Sequence, residues 1–257
     1  MKSLLAFTKK EILGQIRSKK TLILTIVFVV MGILNPLMAK ISPWLTSVLS
    51  EALESSGISI TIIESRDVDS WAQYFSNLTI LAIVFAILFS NIFTKEYNKG
   101  TLVLVLTKGF ERCKVVISKL FVMILMWTIY YFMYFIVTFV ITKVLWHEVY
   151  VQQLAISVIL WWVFGIFVVV LMTLFSTIFN SSTASLAVVG GIVFGVYFLS
   201  VLPGISRFLP TSIANSATLI YGLKEAIYYL PAIIITVVLI IVIPVISILR
   251  FNKKKLY

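Results

Sequence analysis

The stretch KEYNKGTLVLVLTKGFERCKVVISK, residues 95–119, lies between two long apolar runs and decides how the chain sits in a membrane. It carries six basic and two acidic residues, so the positive-inside rule places it in the cytoplasm. Within it the apolar run LVLVL, residues 102–106, is too short to cross a bilayer. Gly100 and Gly109 bracket this run, and glycine favours a helix end or a turn. We therefore expect a short separate element whose apolar side chains need a cover.

The composition of the whole chain is that of a membrane protein. Of its 257 residues, 61% are hydrophobic and 12% are charged, and the mean hydropathy is +1.09. The net charge of +11 could suggest a nucleic-acid partner. However, the basic residues lie at the edges of apolar runs, which indicates membrane topology and no nucleic-acid binding. Cys113 is the only cysteine and His147 the only histidine, so we expect no metal site.

Six apolar runs predict six transmembrane helices, over residues 21–38, 71–94, 120–142, 154–179, 184–201 and 232–249. The segments on one side of these spans then hold 16 basic and three acidic residues, and those on the other side hold five and seven. This asymmetry predicts that both termini are cytoplasmic. We expect an all-α, multi-pass protein of the cell membrane, with residues 1–257 forming a single transmembrane domain embedded in lipid.

Two segments beside the first span have patterns of their own. Residues 1–20 are basic with apolar positions at helical spacing, which predicts an amphipathic helix in the membrane interface. Asn35-Pro36 should kink or end the first span, since proline removes a backbone donor. Residues 39–70 then predict an external cap: a surface helix starting at Ser42-Pro43, followed by residues 58–62, which alternate like a strand.

Within the spans, small and polar residues indicate packing or a cavity. Gly191 and Gly195 form a GxxxG motif that lets two helices approach closely, either within the chain or between two subunits. The polar Asn35, Ser90 and Asn91 are candidates for lining a cavity. The aromatic side chains of the third and fourth spans could line it too, or could pack in the core or face lipid.

The chain carries no signal of its own chemistry. No Asp, Glu, Lys, Arg or His falls within the six proposed spans, which argues against ion-driven transport and intramembrane catalysis. The sequence also has no GxxxxGK[ST] run to cradle the phosphates of ATP. We therefore expect no catalytic residue and no bound cofactor in this chain, so energy for any work must come from another polypeptide.

The loop of residues 95–119 resembles the cytoplasmic loop of type-2 ABC transporter permeases. The residues that carry the resemblance are Glu96, Gly100-Thr101-Leu102, Leu106, Arg112 and Lys119. Gly109 departs from the family, where proline is common, and leaves the turn more flexible. The family also has an N-terminal elbow helix, like residues 1–20. Its short re-entrant helical hairpin before the last span is similar to residues 203–231.

This resemblance implies a permease subunit that pairs with a second permease, identical or different, and with two ATPase subunits that hold ATP and Mg²⁺. The loop would include the coupling helix that docks on the ATPase. The residues that would shape or contact the docking site are Glu96, Gly100, Thr101, Leu102, Leu104, Leu106, Arg112 and Lys119.

The aromatic, uncharged interior suits a hydrophobic or amphipathic substrate, such as a peptide, a drug or a lipid, and the resemblance to the family implies that it is exported. The alternative function is a membrane-embedded sensor or interaction protein that transports nothing. In that case, the basic loop would bind anionic lipid or a signalling partner.

Overall fold

A computed structural model describes residues 2–54, 64–98, 100–107, 109–147, 150–202 and 204–254, and over these ranges the chain is helical without any strand. The α-helices are α1 Lys2–Ile16, α2 Lys19–Glu54, α3 Asp67–Phe89, α4 Thr94–Asn98, α5 Thr101–Thr107, α6 Arg112–Trp146, α7 Leu154–Ile178, α8 Ser182–Leu199, α9 Pro210–Ala214 and α10 Leu230–Lys253. Three short 3₁₀ segments, Ser206–Phe208, Ser216–Leu219 and Ala226–Tyr229, precede α10. The all-α prediction is confirmed.

Six stretches of this helical chain are long and apolar enough to cross a membrane. They are Lys19–Ser50, Asp67–Tyr97, Arg112–Trp146, Leu154–Ile178, Ser182–Leu199 and Ala226–Lys253. Each contains most or all of one predicted span, so the six-span prediction is confirmed. The helices α2 and α6 have 36 and 35 residues, well beyond the ~20 that a bilayer requires. Their ends therefore extend past the apolar layer.

The first transmembrane helix differs from the prediction. We expected it to kink or end near Pro36 and a second helix to begin at Ser42. The helix α2 does not end there but continues through Pro36 and Pro43, and a kink at Pro36 stays a prediction. Pro36 cannot donate to the carbonyl of Gly32, four residues earlier. The hydroxyl of Thr138 on α6 donates to that carbonyl instead, at 3.1 Å, as neighbouring helices commonly do in membranes. The strand expected at residues 58–62 lies outside the described residues.

The helix α6 lies at the centre of the bundle. It packs against α1, α2, α3, α7 and α10. The large aromatic residues that it and α7 contribute to the interior are Trp127, Tyr130, Tyr131, Tyr134 and Trp161. These rings pack on one another and on α3, where Tyr74 stacks on Tyr134 with 4.5 Å between ring centroids. For these five aromatics core packing is therefore the observed role.

A polar cluster inside the bundle joins α2, α3 and α6. Asn35 is only 1% exposed, and its Nδ2 donates to the hydroxyl oxygens of Tyr134 at 2.7 Å and Thr138 at 3.3 Å. Its Oδ1 accepts from Nδ2 of Asn77 at 2.8 Å. A buried amide needs these partners to offset the loss of water. The structure thus gives Asn35 a role in helix packing, while a role in lining a cavity stays a prediction.

The segment between α8 and α10 is built from short helical pieces. All five residues of α9 are buried, and α9 packs against both α7 and α10. Pro210 begins α9, where its missing N–H needs no partner within the helix. These pieces agree with the helical character expected for residues 203–231, while their re-entrant path in a bilayer stays a prediction.

Candidate functional site

The basic loop folds into two short helices, α4 and α5, followed by the start of α6. Gly100 and Gly109 have φ angles of +66° and +83°, a conformation that glycine adopts without strain. They therefore end α4 and α5 and make α5 a separate element, as the bracketing glycines predicted. Leu102 of α5 is buried and Leu106 packs against the core, so the chain itself covers part of the apolar run. The side chain of Leu104 lies outside the described part of the structure.

Four charged residues from three segments meet beneath this loop. This Lys119 cluster consists of Lys10 and Glu11 of α1, Glu96 of α4 and Lys119 of α6. The Lys119 Nζ lies 3.2 Å from Glu11 Oε2 and 2.9 Å from Glu96 Oε2. The Lys10 Nζ lies 3.2 Å from Glu11 Oε1 and 3.5 Å from Glu96 Oε1. Each carboxylate therefore faces both ammonium groups, and the four charges cancel.

The burial of this cluster makes the pairing necessary. Lys119 is 1% exposed and Glu11 6%, and an unpaired charge at such depth would cost several kcal/mol. Lys119 also donates to the carbonyl of Ile92 at 3.0 Å. Burial lowers the pKa of Lys10, but the attraction of Glu11 and Glu96 outweighs it and raises that pKa above its ordinary value. The ion pairs of the Lys119 cluster hold α1, α4 and α6 together.

Two further cations of this end of the bundle bind helix carboxyl ends, where the last carbonyls lack partners within the helix. Arg112 Nη1 donates to the carbonyls of Phe251, Asn252 and Lys254 at 3.2, 3.0 and 2.7 Å, at the end of α10. Lys254 Nζ donates to those of Thr177, Ile178 and Phe179 at 2.9, 3.2 and 3.4 Å, at the end of α7. The basic residues that indicated topology thus also cap helices, which the helix dipole favours.

A cleft of about 320 Å³ opens beside the Lys119 cluster. Residues of α1, of the turn after α3, of α4 and of α5 line it, together with Lys119. Among the predicted site residues, Asn91, Glu96, Thr101 and Lys119 meet there. Ser90, one residue earlier, is buried and donates to the carbonyl of Ile87. Asn91 and Ser90 therefore lie at the basic end of the bundle, away from its centre.

Sequence reasoning missed the contribution of α1 to this site. Glu11 lies 108 positions before its partner Lys119, and residue spacing gives no measure of such a distance. One signal was available: Glu11 is the only acid among the first 20 residues. It also follows Phe7 by four positions, so both share one helix face. Both are buried. A lone acid on the apolar face of a basic helix indicates a buried cation as its partner.

The glycines of α8 do not pack closely within the chain. A Cβ built on Gly191 or Gly195 would meet no atom within 4 Å, so the structure shows no close contact within the chain at these two positions, and the role of the GxxxG motif stays a prediction. Tight contacts occur instead at Gly32 and Gly165. A Cβ there would lie 2.9 Å from Val137 and 2.1 Å from the Trp127 ring respectively.

Six apolar helices and a charged cluster that ties a peripheral helix to a basic loop define a multi-pass membrane protein. The chain belongs to the ABC-2 family transporter proteins, since the model of that family matches residues 5–256. It is thus of the permease class of ABC transporters, membrane subunits that work with ABC ATPase subunits. It is also similar to YxlG of Bacillus subtilis (strain 168), described as an uncharacterized transmembrane protein, with 23% identity over 261 residues covering 100% of both chains.

Proposed function

We propose that this chain is the permease subunit of an ATP-driven exporter and that its loop, residues 95–119, receives the ATPase. The observation that carries this proposal is the Lys119 cluster. Its charges join the loop helix α4 to α1 and to α6 through contacts of 2.9–3.5 Å. A push on the loop would therefore act on the central helix of the bundle.

The loop has the mechanical properties that such coupling requires. The positive-φ glycines at 100 and 109 allow α5 to change its angle against α4 and α6. Leu102, buried in the core, limits how far α5 can move independently of the bundle. Since α6 packs against five other helices, a displacement of its first turns would be passed to the transmembrane core.

The predicted docking residues divide into two groups on this proposal. Lys119, Glu96, Leu102 and Arg112 are engaged inside the chain, so they shape the loop without contacting the ATPase. Thr101 is exposed at the start of α5, and with Leu104 it belongs to the docking surface. The ATPase subunits, two copies in all, hold the ATP and Mg²⁺.

A second permease subunit completes the transporter on this proposal, and α8 faces it. The helix α8 has open space beside Gly191 and Gly195 and few buried residues, which suits close contact with another helix. Aromatic rings fill the interior of the single chain, so we place the path of a hydrophobic or amphipathic substrate between the two subunits. The charge asymmetry puts the basic end and both termini in the cytoplasm.

The test is binding and stimulation of the cognate ATPase by the purified permease. Leu104→Asp should abolish ATPase pull-down and substrate-stimulated hydrolysis, because it puts a charge into an apolar docking element. The matched control is Leu223→Asp, an exposed leucine of the segment that joins α8 to α10, which should behave like wild type. Both variants should elute as folded protein. If Leu104→Asp binds and stimulates like wild type, the docking model fails. If the wild type binds no ATPase at all, a sensor without transport is favoured instead.

A further inference from the structure

The cleft beside the Lys119 cluster contains two cations that no carboxylate in the described part of the chain neutralises. Lys10 and Lys119 are matched by Glu11 and Glu96 within the cluster. Lys20, in contrast, donates only to neutral oxygens: the carbonyl of Leu88 at 2.7 Å and Oδ1 of Asn91. Lys95 is exposed and has no acidic partner among the described residues. The cleft therefore carries two surplus positive charges.

The surplus charges of Lys20 and Lys95 favour the binding of an anion in the cleft. Lys20 and Lys95 both line the cleft, and an anion bound between them would be attracted by both charges. Neutral hydrogen-bonding side chains line the same cleft, namely Gln15, Ser18, Asn91 and Thr101. Two cations with hydroxyl and amide groups are the donor set that phosphate oxygens accept.

The position of the cleft indicates where the phosphate comes from. Lys20 is the second residue of the first transmembrane helix α2, so it lies where lipid headgroups begin. Ile16 of α1, next in sequence to the cleft residue Gln15, and Ile23 of α2, one helical turn after Lys20, are both exposed. These apolar side chains can accompany the acyl chains of a lipid whose headgroup enters the cleft. A soluble phosphate compound would gain nothing from them.

We propose that this cleft binds the phosphate headgroup of an anionic phospholipid, with Lys20 and Lys95 as its charged contacts. The volume of about 320 Å³ accommodates a glycerophosphate group. The bound lipid would lie against Glu96 and Thr101, so it would stabilise one position of the loop relative to α1 and α2. Lipid binding at this cleft does not require that an ATPase docks on the loop.

The experiment compares lipid retention by native mass spectrometry of the intact chain. The protein is purified in detergent and mixed with phosphatidylglycerol and phosphatidylcholine in equal amounts. Lys20→Gln/Lys95→Gln removes the two contacts. The matched control Arg17→Gln/Lys19→Gln removes two exposed charges from the same turn, neither of which lines the cleft. Wild type and control should retain phosphatidylglycerol preferentially, and the cleft variant should lose this preference by roughly tenfold or more.

Two more variants separate lipid binding from an effect on folding. Because Lys20 also caps α3, Lys20→Arg keeps the charge and should keep the lipid. Lys95→Gln alone changes an exposed side chain and should lose part of the preference. Equal retention by the cleft variant, or equal loss in the control, overturns the proposal, since binding would then be diffuse attraction by basic residues.

A competition arm distinguishes lipid from free phosphate. Inorganic phosphate or glycerophosphoglycerol at the concentration of the lipid should displace little phosphatidylglycerol, because neither carries acyl chains. If either one displaces it completely, the cleft takes soluble phosphate and the lipid assignment is overturned.

Discussion

The helices α6 and α8 are both apolar membrane spans, yet they have opposite places in the molecule. Thirteen residues of α6 are buried, whereas in α8, which the structure describes completely, only Ser185 and Val189 are. The difference lies in a few residues and not in overall hydrophobicity. α6 carries Lys119, Trp127 and Thr138, each with partners on other helices. A helix at the edge of the single chain needs only apolar side chains, whereas a central one also carries groups that must be satisfied by its neighbours.

The largest expected effect comes from removing Lys119 of α6, the cation with which Glu11 and Glu96 pair. Lys119→Met should lower the free energy of unfolding by about 3–5 kcal/mol, because Glu11 and Glu96 would lose their buried cation. Unfolding in mixed micelles measures this. The control Lys143→Met removes an exposed lysine of the same helix and should change stability by less than about 0.5 kcal/mol.

A combined variant tests whether the loss is electrostatic. Glu11→Gln and Glu96→Gln added to Lys119→Met should recover much of the stability, since no unpaired carboxylate remains. A triple variant as unstable as Lys119→Met would contradict the buried-charge explanation and indicate lost packing instead.

The next effect concerns the contact between α6 and α7. Gly165→Ala should destabilise the protein by about 1–3 kcal/mol, because its Cβ would lie 2.1 Å from the ring of Trp127. That ring cannot move freely, since it is buried and its Nε1 donates to the carbonyl of Trp162 at 3.3 Å. Gly190→Ala in α8 meets no atom within 4 Å and should be neutral or slightly stabilising. Equal Tm values for Gly165→Ala and Gly190→Ala would contradict the conclusion that α7 packs closely at its glycine whereas α8 does not.

A smaller effect is expected where α6 supports the proline in α2. Thr138→Val keeps the shape but loses the hydroxyl that donates to Gly32 and accepts from Asn35. The free energy of unfolding should fall by about 1–2 kcal/mol, toward the lower end of the cost of leaving buried polar groups unpaired. Thr138→Ser retains the hydroxyl and should lose less. If valine and serine are equally tolerated, the freed carbonyl of Gly32 is satisfied in another way.

The smallest effect on folding is expected in α8. Gly191→Leu should leave the unfolding free energy of the single chain nearly unchanged, because a Cβ there meets no atom within 4 Å. It should nevertheless weaken assembly with a second permease subunit, measured by sizing in detergent or by crosslinking. Gly190→Leu, about 100° away around the helix, is the matched control and should assemble more normally. A change in unfolding without a change in assembly would show that α8 packs within its own chain.

The membrane class, the six spans and the separate loop element could all be predicted from the sequence alone. These features depend on local properties: the length of an apolar run, the side on which charges gather, and glycines at residues 100 and 109. Each can be read within about twenty consecutive residues, because the bilayer acts on every span in the same way.

Which residues contact one another became known only from the packing of the helices. Pro36 is accommodated in α2 because the hydroxyl of Thr138, on another helix, donates to the carbonyl of Gly32 that proline leaves without a partner. Lys119, expected near the docking site, is buried against Glu11 of α1. The close helix contact lies at Gly165 and not in the GxxxG of α8. Hydropathy measures the transfer of one segment into lipid, whereas these contacts depend on how separate segments pack. Buried polar groups and tight glycines acquire their roles only from their partners.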